Sequence, residues 1–242
     1  DFASDHRAAV AFDDLDNHAL GGECVSCRPR YCRGFRVNIN CTLFDGVDPK
    51  AMADFFTFAS NDLQVEGVTV SPGYAYERAP VQDHFLSRRQ TKELFRKIFR
   101  LGQQRAKKWV FNQSSMYLDF LAGNQNFECT PWGMPTYNVF GWQKPCYLLV
   151  DEGYAPSFKA LMEDTDWDNY GNTKNPKCAN CMAHCGFEAS AVEDAMKHPL
   201  KAAWVSLRGP RTTGPMAEEP APEYEITPES KARRTIPIEA VD

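Results

Sequence analysis

The sequence predicts an α/β fold with a parallel sheet, and three consecutive segments support this prediction. Residues 35–41 alternate apolar with polar side chains, which is the period of a β-strand. Residues 49–60 carry apolar side chains at helical spacing after an Asp48-Pro49 helix start. Residues 65–70 predict a second strand. A strand, a helix and another strand in this order favour a β-α-β unit with parallel pairing.

Composition divides the chain into four parts. Residues 1–32 show no sustained periodicity and stay unassigned. Residues 33–123 hold the β-α-β unit and a long amphipathic helix, whose basic side chains Arg96, Lys97 and Arg100 are expected to face solvent. Residues 124–208 are rich in Cys, Trp, Pro and Gly, and a segment of this composition needs a cross-link, such as a bound metal, to stay folded. Residues 209–242 contain six prolines among scattered charges and predict a disordered tail.

Overall charge and cysteine usage exclude several classes of protein. The net charge of -5 over 242 residues is small and mixed in sign, so nucleic acid is not an expected partner. No apolar run approaches the roughly 20 residues that span a bilayer, and no basic-then-apolar leader is present. Nine cysteines in clumps favour a reducing compartment. We therefore expect a cytoplasmic protein, with peripheral contact to the inner membrane as an open alternative.

Five cysteines in the second half of the chain predict a metal-binding module. Cys178, Cys181 and Cys185 are separated by two and three residues, so one loop can direct three sulfurs at one point. A closed set needs one more ligand, and Cys129 and Cys146 compete for that position. All-thiolate ligation suits zinc and iron-sulfur clusters alike, although the spacing is not that of a zinc ribbon. The identity of the metal and the choice of four thiols out of five stay open.

The loop after the second predicted strand is a candidate binding site. It leaves the carboxyl end of the strand, where parallel α/β folds place their ligands. The candidate residues for cofactor or substrate binding are Tyr74, Tyr76, Glu77 and Arg78. A surface turn with stacked aromatic side chains is an equally good interpretation on position alone.

With these residues in view, the chain resembles the C-terminal part of the adenosyl hopane synthases, which are radical S-adenosylmethionine enzymes of hopanoid biosynthesis. The resemblance runs from about Arg33 to Met216, and its most specific segments are residues 34–44, 70–80, 118–125, 141–148 and 175–187. The spacing Cys129-x11-Gly141-x4-Cys146 also resembles the opening of the auxiliary-cluster domains called SPASM or twitch. That second resemblance favours an iron-sulfur cluster over zinc.

The resemblance implies a fold and an activity. It implies that the sheet is the second half of a partial triosephosphate-isomerase-type (β/α) barrel, followed by a Cys-rich C-terminal extension. Family members add the 5′-deoxyadenosyl radical to the alkene of the lipid diploptene, giving adenosylhopane. They use S-adenosylmethionine and a 4Fe-4S cluster on a Cys-x3-Cys-x2-Cys loop, and the five cysteines described above would hold an auxiliary cluster.

This sequence departs from the family at its beginning. It contains no Cys-x3-Cys-x2-Cys spacing, and residues 1–32 do not resemble what precedes the strand at 35–41 in the family. These differences predict a frameshifted or fragmentary gene whose product does not start the reaction alone. The competing hypothesis is a noncatalytic metal-stabilised module, either a zinc-stapled binding protein or a single-cluster electron carrier.

Overall fold

The alternating segment, the capped helix and the second strand of the sequence form the centre of the fold. The structure is a computed structural model that describes residues 8–12, 36–74, 79 and 83–227. The strands are β1 (Ala8–Phe12), β2 (Asn38–Leu43), β3 (Gly67–Pro72), β4 (Tyr137–Asn138), β5 (Gly141–Gln143) and β6 (Tyr154–Ala155). The helices are α1 (Pro49–Thr57), α2 (Arg88–Gln103), α3 (Ser115–Leu121), α4 (Phe158–Asp164), α5 (His184–Lys197) and α6 (Pro199–Arg208).

The β-α-β prediction is confirmed, with both strands starting two or three residues later than expected. β2 and β3 pair in parallel, with Asn38 opposite Gly67 and Leu43 opposite Pro72. Between them, the carboxylate of Asp48 accepts hydrogen bonds from the first backbone N–H groups of α1, so the predicted cap is present. The helix then continues as one π-helical turn, Phe58–Asp62.

Neighbouring segments complete the sheet around β2 and β3. On one side β1, which lies in the segment left unassigned from sequence, pairs antiparallel with β2. On the other side Phe111 bridges to Val68 in parallel, and the Gln113 side chain bonds to the backbone N–H and C=O of Val70 at 3.1 and 2.6 Å. The predicted strand at 109–111 is thus a single bridge. The class is mixed helix and sheet, and among the described residues neither three-stranded sheet closes into a barrel.

The solvated basic face predicted for α2 is only partly correct. Lys97 and Arg100 are exposed, but the Arg96 side chain is buried. Its guanidinium donates to the carbonyl of Ala122 at 2.6 Å and to that of Gly214 at 2.7 Å. Helical periodicity did not predict that Arg96 is buried. A later part of the chain covers this side chain, and a helical wheel contains no information about that cover.

Residues 209–227, the C-terminal segment, supply this cover. The sequence predicted disorder from residue 209, but Thr212 is buried and its carbonyl accepts from Arg100 at 2.8 Å. The backbone N–H of Ala217 bonds to the carbonyl of Gly123 at 2.8 Å. Prolines break helices and strands, yet they do not prevent a segment from packing in extended form. The rest of the predicted tail, residues 228–242, lies outside the described residues.

An ion cluster attaches the C-terminal segment to α2. The carboxylate of Glu219 accepts from Arg88 Nε at 3.2 Å and pairs with the ammonium of Lys92, whose side chain is 3% exposed. Burial alone would raise the pKa of Glu219, but the charges of Arg88 and Lys92 hold this pKa below its usual value. The carboxylate of Glu219 therefore stabilises the positive charges of both buried side chains, Arg88 and Lys92.

Replacing Glu219 with Gln should lower the free energy of unfolding by about 2–3 kcal/mol at neutral pH. Removing one partner of a fully buried pair costs about 3–5 kcal/mol, and the loss is smaller here because Glu219 is partly exposed. Because its folded pKa is lowered, the carboxylate contributes stability above its unfolded pKa of about 4.3 and loses it as the pH falls below that value. Urea unfolding at several pH values measures both effects.

The matched control for this prediction is Glu218→Gln, which removes the same charge from the exposed neighbouring residue. Glu218→Gln should lower the free energy of unfolding by less than about 0.5 kcal/mol. An equal loss in both variants would mean that net charge, and not the ion cluster, stabilises the segment.

The Cys-rich part packs against the rest of the fold where α5 contacts α3. The rings of Phe120 and Phe187 stack at 4.9 Å, and the buried hydroxyl of Tyr117 donates to the carbonyl of Met182 at 2.7 Å. The predicted helices at 116–121, 187–197 and 200–207 are confirmed as α3, α5 and α6. Among the residues that the structure describes, no helix has the length and apolar character needed to cross a membrane.

Candidate metal centre

Four of the five predicted ligands line one small cavity. Cys129, Cys146, Cys178 and Cys181 surround a space of about 40 Å³, which exceeds the roughly 10–15 Å³ that one water needs. The remaining wall is apolar around Leu148, Leu149 and Phe187, and polar around Asn172, Lys177 and Asn180. Thiols that are far apart in sequence, from residue 129 to 181, therefore line the same cavity.

Short turns position the two cysteines nearest in sequence. Asn175 precedes the 3-10 turn Pro176–Cys178, and its side chain accepts from the N–H of Lys177 at 2.9 Å. The N–H of Cys181 then bonds to the carbonyl of Cys178 at 3.0 Å. Arg88 fixes the same loop from outside, because its guanidinium donates to the carbonyl of Cys181 at 2.7 Å. The sequence analysis did not identify Arg88, whose only signal is a basic residue near the start of α2.

Gly186 makes room for the most distant thiol. A Cβ atom placed on Gly186 would lie 2.5 Å from Cys129 Sγ, closer than real Cβ atoms approach any neighbour. The N–H of Thr130 bonds to the carbonyl of Gly186 at 2.6 Å, so the two segments are joined beside the sulfur. The absence of a side chain at residue 186 is thus what admits Cys129 to the cavity wall.

Backbone N–H groups point at two of the cavity sulfurs. The N–H of Ala183 donates to Cys181 Sγ at 3.5 Å, and a backbone hydrogen bond from Gly171 lowers the pKa of Cys178. Burial is the larger effect and raises the pKa of Cys178 to about 12. It also raises the pKa values of Cys129 and Cys181 well above their usual range. Without a metal these thiols are neutral, and metal binding must release their protons.

Cys185 does not line the cavity, although it packs in one cluster with Cys146 and Cys181. It is buried in the first turn of α5. Its thiol hydrogen-bonds to Tyr147, which lowers its pKa, but burial outweighs this effect and raises the pKa to about 11. The Tyr147 hydroxyl in turn bonds to the hydroxyl of Tyr74. Tyr147 was not identified from sequence, since nothing local distinguishes it from other aromatic residues.

Tyr74 is the described member of the predicted binding loop. It follows β3, is half-buried, and reaches the thiol region through its bond to Tyr147. The other candidates, Tyr76, Glu77 and Arg78, lie outside the described residues.

The arrangement of the four thiols can be compared with what a metal ion and a cluster each require. Among the described residues, no group of three or more His, Cys, Asp or Glu side chains is arranged to hold a metal ion. A zinc ion would need its thiolates converged at about 2.3 Å from one point. A cluster places iron and sulfide between its thiolates, so its ligands stand around a space. The four thiols line a cavity without converging on one point, so among the described residues they are not arranged for a single zinc ion.

Two further titratable side chains, His184 and Cys41, do not line the cavity. His184 Nδ1 is buried and has no hydrogen-bond partner among the described residues, and burial lowers the pKa of this histidine. Cys41 is buried in the core on β2, where burial raises its pKa to about 12, and it is a packing residue. The sequence also contains a small group of cysteines near its start, Cys24, Cys27 and Cys32, which lies outside the described residues.

Comparison with known proteins places the chain in one family. Neither the curated proteins nor the solved structures gave a match. The family described as "Domain of unknown function (DUF3463)" matches residues 68–205, which is more than half of the 242 residues. The matched span contains β3 except for its first residue, the loop after it and all five cysteines of the predicted module. The chain therefore belongs to the DUF3463 family.

Proposed function

We propose that the cavity binds an iron-sulfur cluster through Cys129, Cys146, Cys178 and Cys181. The observation that carries this proposal is that these four thiols line one cavity. Cys185, which the sequence ranked beside Cys178 and Cys181, is then the thiol left over. It bonds to a tyrosine and takes no part in the cavity wall.

The residues around the cavity would support such a cluster. Leu148, Leu149 and Phe187 keep water away from one side of it, and solvent exposure is one of the properties that set a cluster's potential. The N–H of Ala183 stabilises thiolate charge on Cys181, since hydrogen bonds to sulfur favour the anionic form. Arg88 holds the loop in place from outside the cavity. When bound, the cluster supplies one-electron transfer.

The enzymatic part of the proposal rests on the resemblance described above. We propose that the chain is part of a radical S-adenosylmethionine enzyme that adds the 5′-deoxyadenosyl radical to diploptene. In support, the parallel strands β2 and β3 with the bridge at Phe111 have the order expected of half a (β/α) barrel. Tyr74 also stands at the carboxyl end of β3, where barrels hold their ligands. Because the sequence has no Cys-x3-Cys-x2-Cys loop, we expect no S-adenosylmethionine cleavage by this chain alone.

Anaerobic reconstitution with iron and sulfide tests the metal centre. We expect a brown protein that absorbs near 400 nm and contains about four irons per chain. A colourless protein that retains one zinc per chain through the same treatment would support the zinc-stapled module instead. In that case the cluster proposal is wrong.

The activity is tested separately with the reconstituted chain, S-adenosylmethionine, diploptene and a strong reductant, which also supplies the electron that the carbon radical needs after the addition. Formation of 5′-deoxyadenosine by the chain alone would contradict the expectation. Adenosylhopane formation should require a supplied polypeptide with a Cys-x3-Cys-x2-Cys loop. A cluster that forms but supports no adenosylhopane under those conditions would favour the electron carrier over the enzyme.

A further inference from the structure

The outer face of α6 carries an apolar stripe that no described part of the chain covers. Leu200, Trp204 and Leu207 are 87%, 65% and 72% exposed, and they lie four and three residues apart along one side of the helix. Met196, at the end of α5, is exposed as well. The opposite side of α6 packs inward through Val205. The helix thus has two apolar sides, and only one of them serves the core.

The charges around this stripe are positive or paired. The sequence of α6 contains Lys201 and Arg208 but no acidic residue. The carboxylate of Asp194 in α5 is held by Lys201 at 2.8 Å and His198 at 3.0 Å, and the buried carboxylate of Asp119 pairs with Arg208 at 3.6 Å. The exposed residue Lys108 donates to the carbonyl of Leu207 at 3.3 Å, so it stands at the end of the stripe beside Lys107. Cations therefore border the apolar residues.

We propose that α6 is an interfacial helix that docks the protein on an anionic lipid bilayer. Leucine and tryptophan on one face with lysine and arginine at its border is the pattern of helices that lie in the plane of a membrane surface. Tryptophan favours this boundary because it combines an apolar ring with an N–H donor. A second copy of the chain fits less well, because the few side chains of the stripe fall short of the roughly 800 Å² that each partner buries in a standard interface.

This inference is independent of the proposed cluster and its chemistry, since none of the residues involved touches the cysteines' cavity. Binding can therefore be measured on the full chain whether or not a cluster is bound. Failure of cluster reconstitution would leave the docking proposal standing, and failure of docking would leave the cluster proposal standing.

Co-sedimentation with vesicles tests the docking face. The full chain should bind vesicles of phosphatidylglycerol and phosphatidylcholine, and bind phosphatidylcholine vesicles more weakly. The triple variant L200S/W204S/L207S should lower the partition coefficient at least about tenfold, because the apolar groups that insert are lost. The variant K107Q/K108Q should weaken binding to the anionic vesicles alone.

The matched control is V139S/F140S, which removes two exposed apolar residues from the tip of the β4–β5 hairpin. It should bind vesicles as the parent chain does, and all variants should keep the parent circular dichroism spectrum because the changed residues are exposed. No binding by the parent chain, or an equal loss in the control, would overturn the proposal. The proposal would also be overturned if the parent chain formed a concentration-dependent dimer and the triple variant stayed monomeric. The stripe would then be covered by a second copy.

Discussion

Serine at any one of Cys129, Cys146, Cys178 or Cys181 should reduce the iron content of the reconstituted chain to less than half, while Cys185→Ser should retain it. Each of the first four thiols lines the cavity, and a cluster that loses one of its thiolate ligands is held much more weakly. Cys185 lies off the cavity wall against Tyr147, so its thiol is not required for ligation. Iron and sulfide analysis with electron paramagnetic resonance of the reduced protein measures the effect.

Cys185→Ser is the matched control for this series, because it makes the same change in a buried neighbouring thiol. Loss of iron in Cys185→Ser with retention in Cys129→Ser or Cys146→Ser would contradict the assignment. The ligands would then be the set ranked first by sequence spacing, with one of the two distant cysteines as the spare.

Gly186→Ala should lower both iron content and stability, although the same change in a helix is usually favourable. The new Cβ would lie 2.5 Å from Cys129 Sγ, so the sulfur must move away from the cavity. Overpacking of this kind costs about 1–3 kcal/mol, whereas Gly→Ala in a helix without a clash gains about 0.5–1 kcal/mol. Urea unfolding of the metal-free chain measures the change in stability without any contribution from the cluster.

A double-mutant cycle isolates the contact between Cys129 and Gly186. In the Cys129→Ala background the Sγ atom is gone, and the next atom near the new Cβ is Cys129 Cβ at 3.8 Å. Gly186→Ala should therefore change from destabilising to stabilising by about 0.5–1 kcal/mol. Destabilisation of equal size in both backgrounds would show that Gly186 is needed for a reason other than this sulfur.

Local patterns predicted the elements of this fold more accurately than their surroundings. The Asp48-Pro49 start placed α1 correctly, since a cap and a helical period are properties of adjacent residues. The parallel pairing of β2 with β3 followed from chain order. Arg96 and the C-terminal segment were expected in solvent because their burial depends on contacts made more than a hundred residues apart, such as Arg96 with Gly214.

For the candidate metal site, too, local sequence predicted one part and contacts between distant segments decided the other. The sequence by itself determined that Cys178, Cys181 and Cys185 lie near one another, because their spacing alone brings them together, and from this it predicted a module of five thiols. Only the tertiary structure distinguished Cys185 from the other four, since the α5 helix turns its thiol towards Tyr147. It also brought Cys129 to the cavity beside Gly186. The physical reason is that short spacing fixes which sulfurs are near each other, whereas packing of distant segments fixes the direction in which each sulfur points.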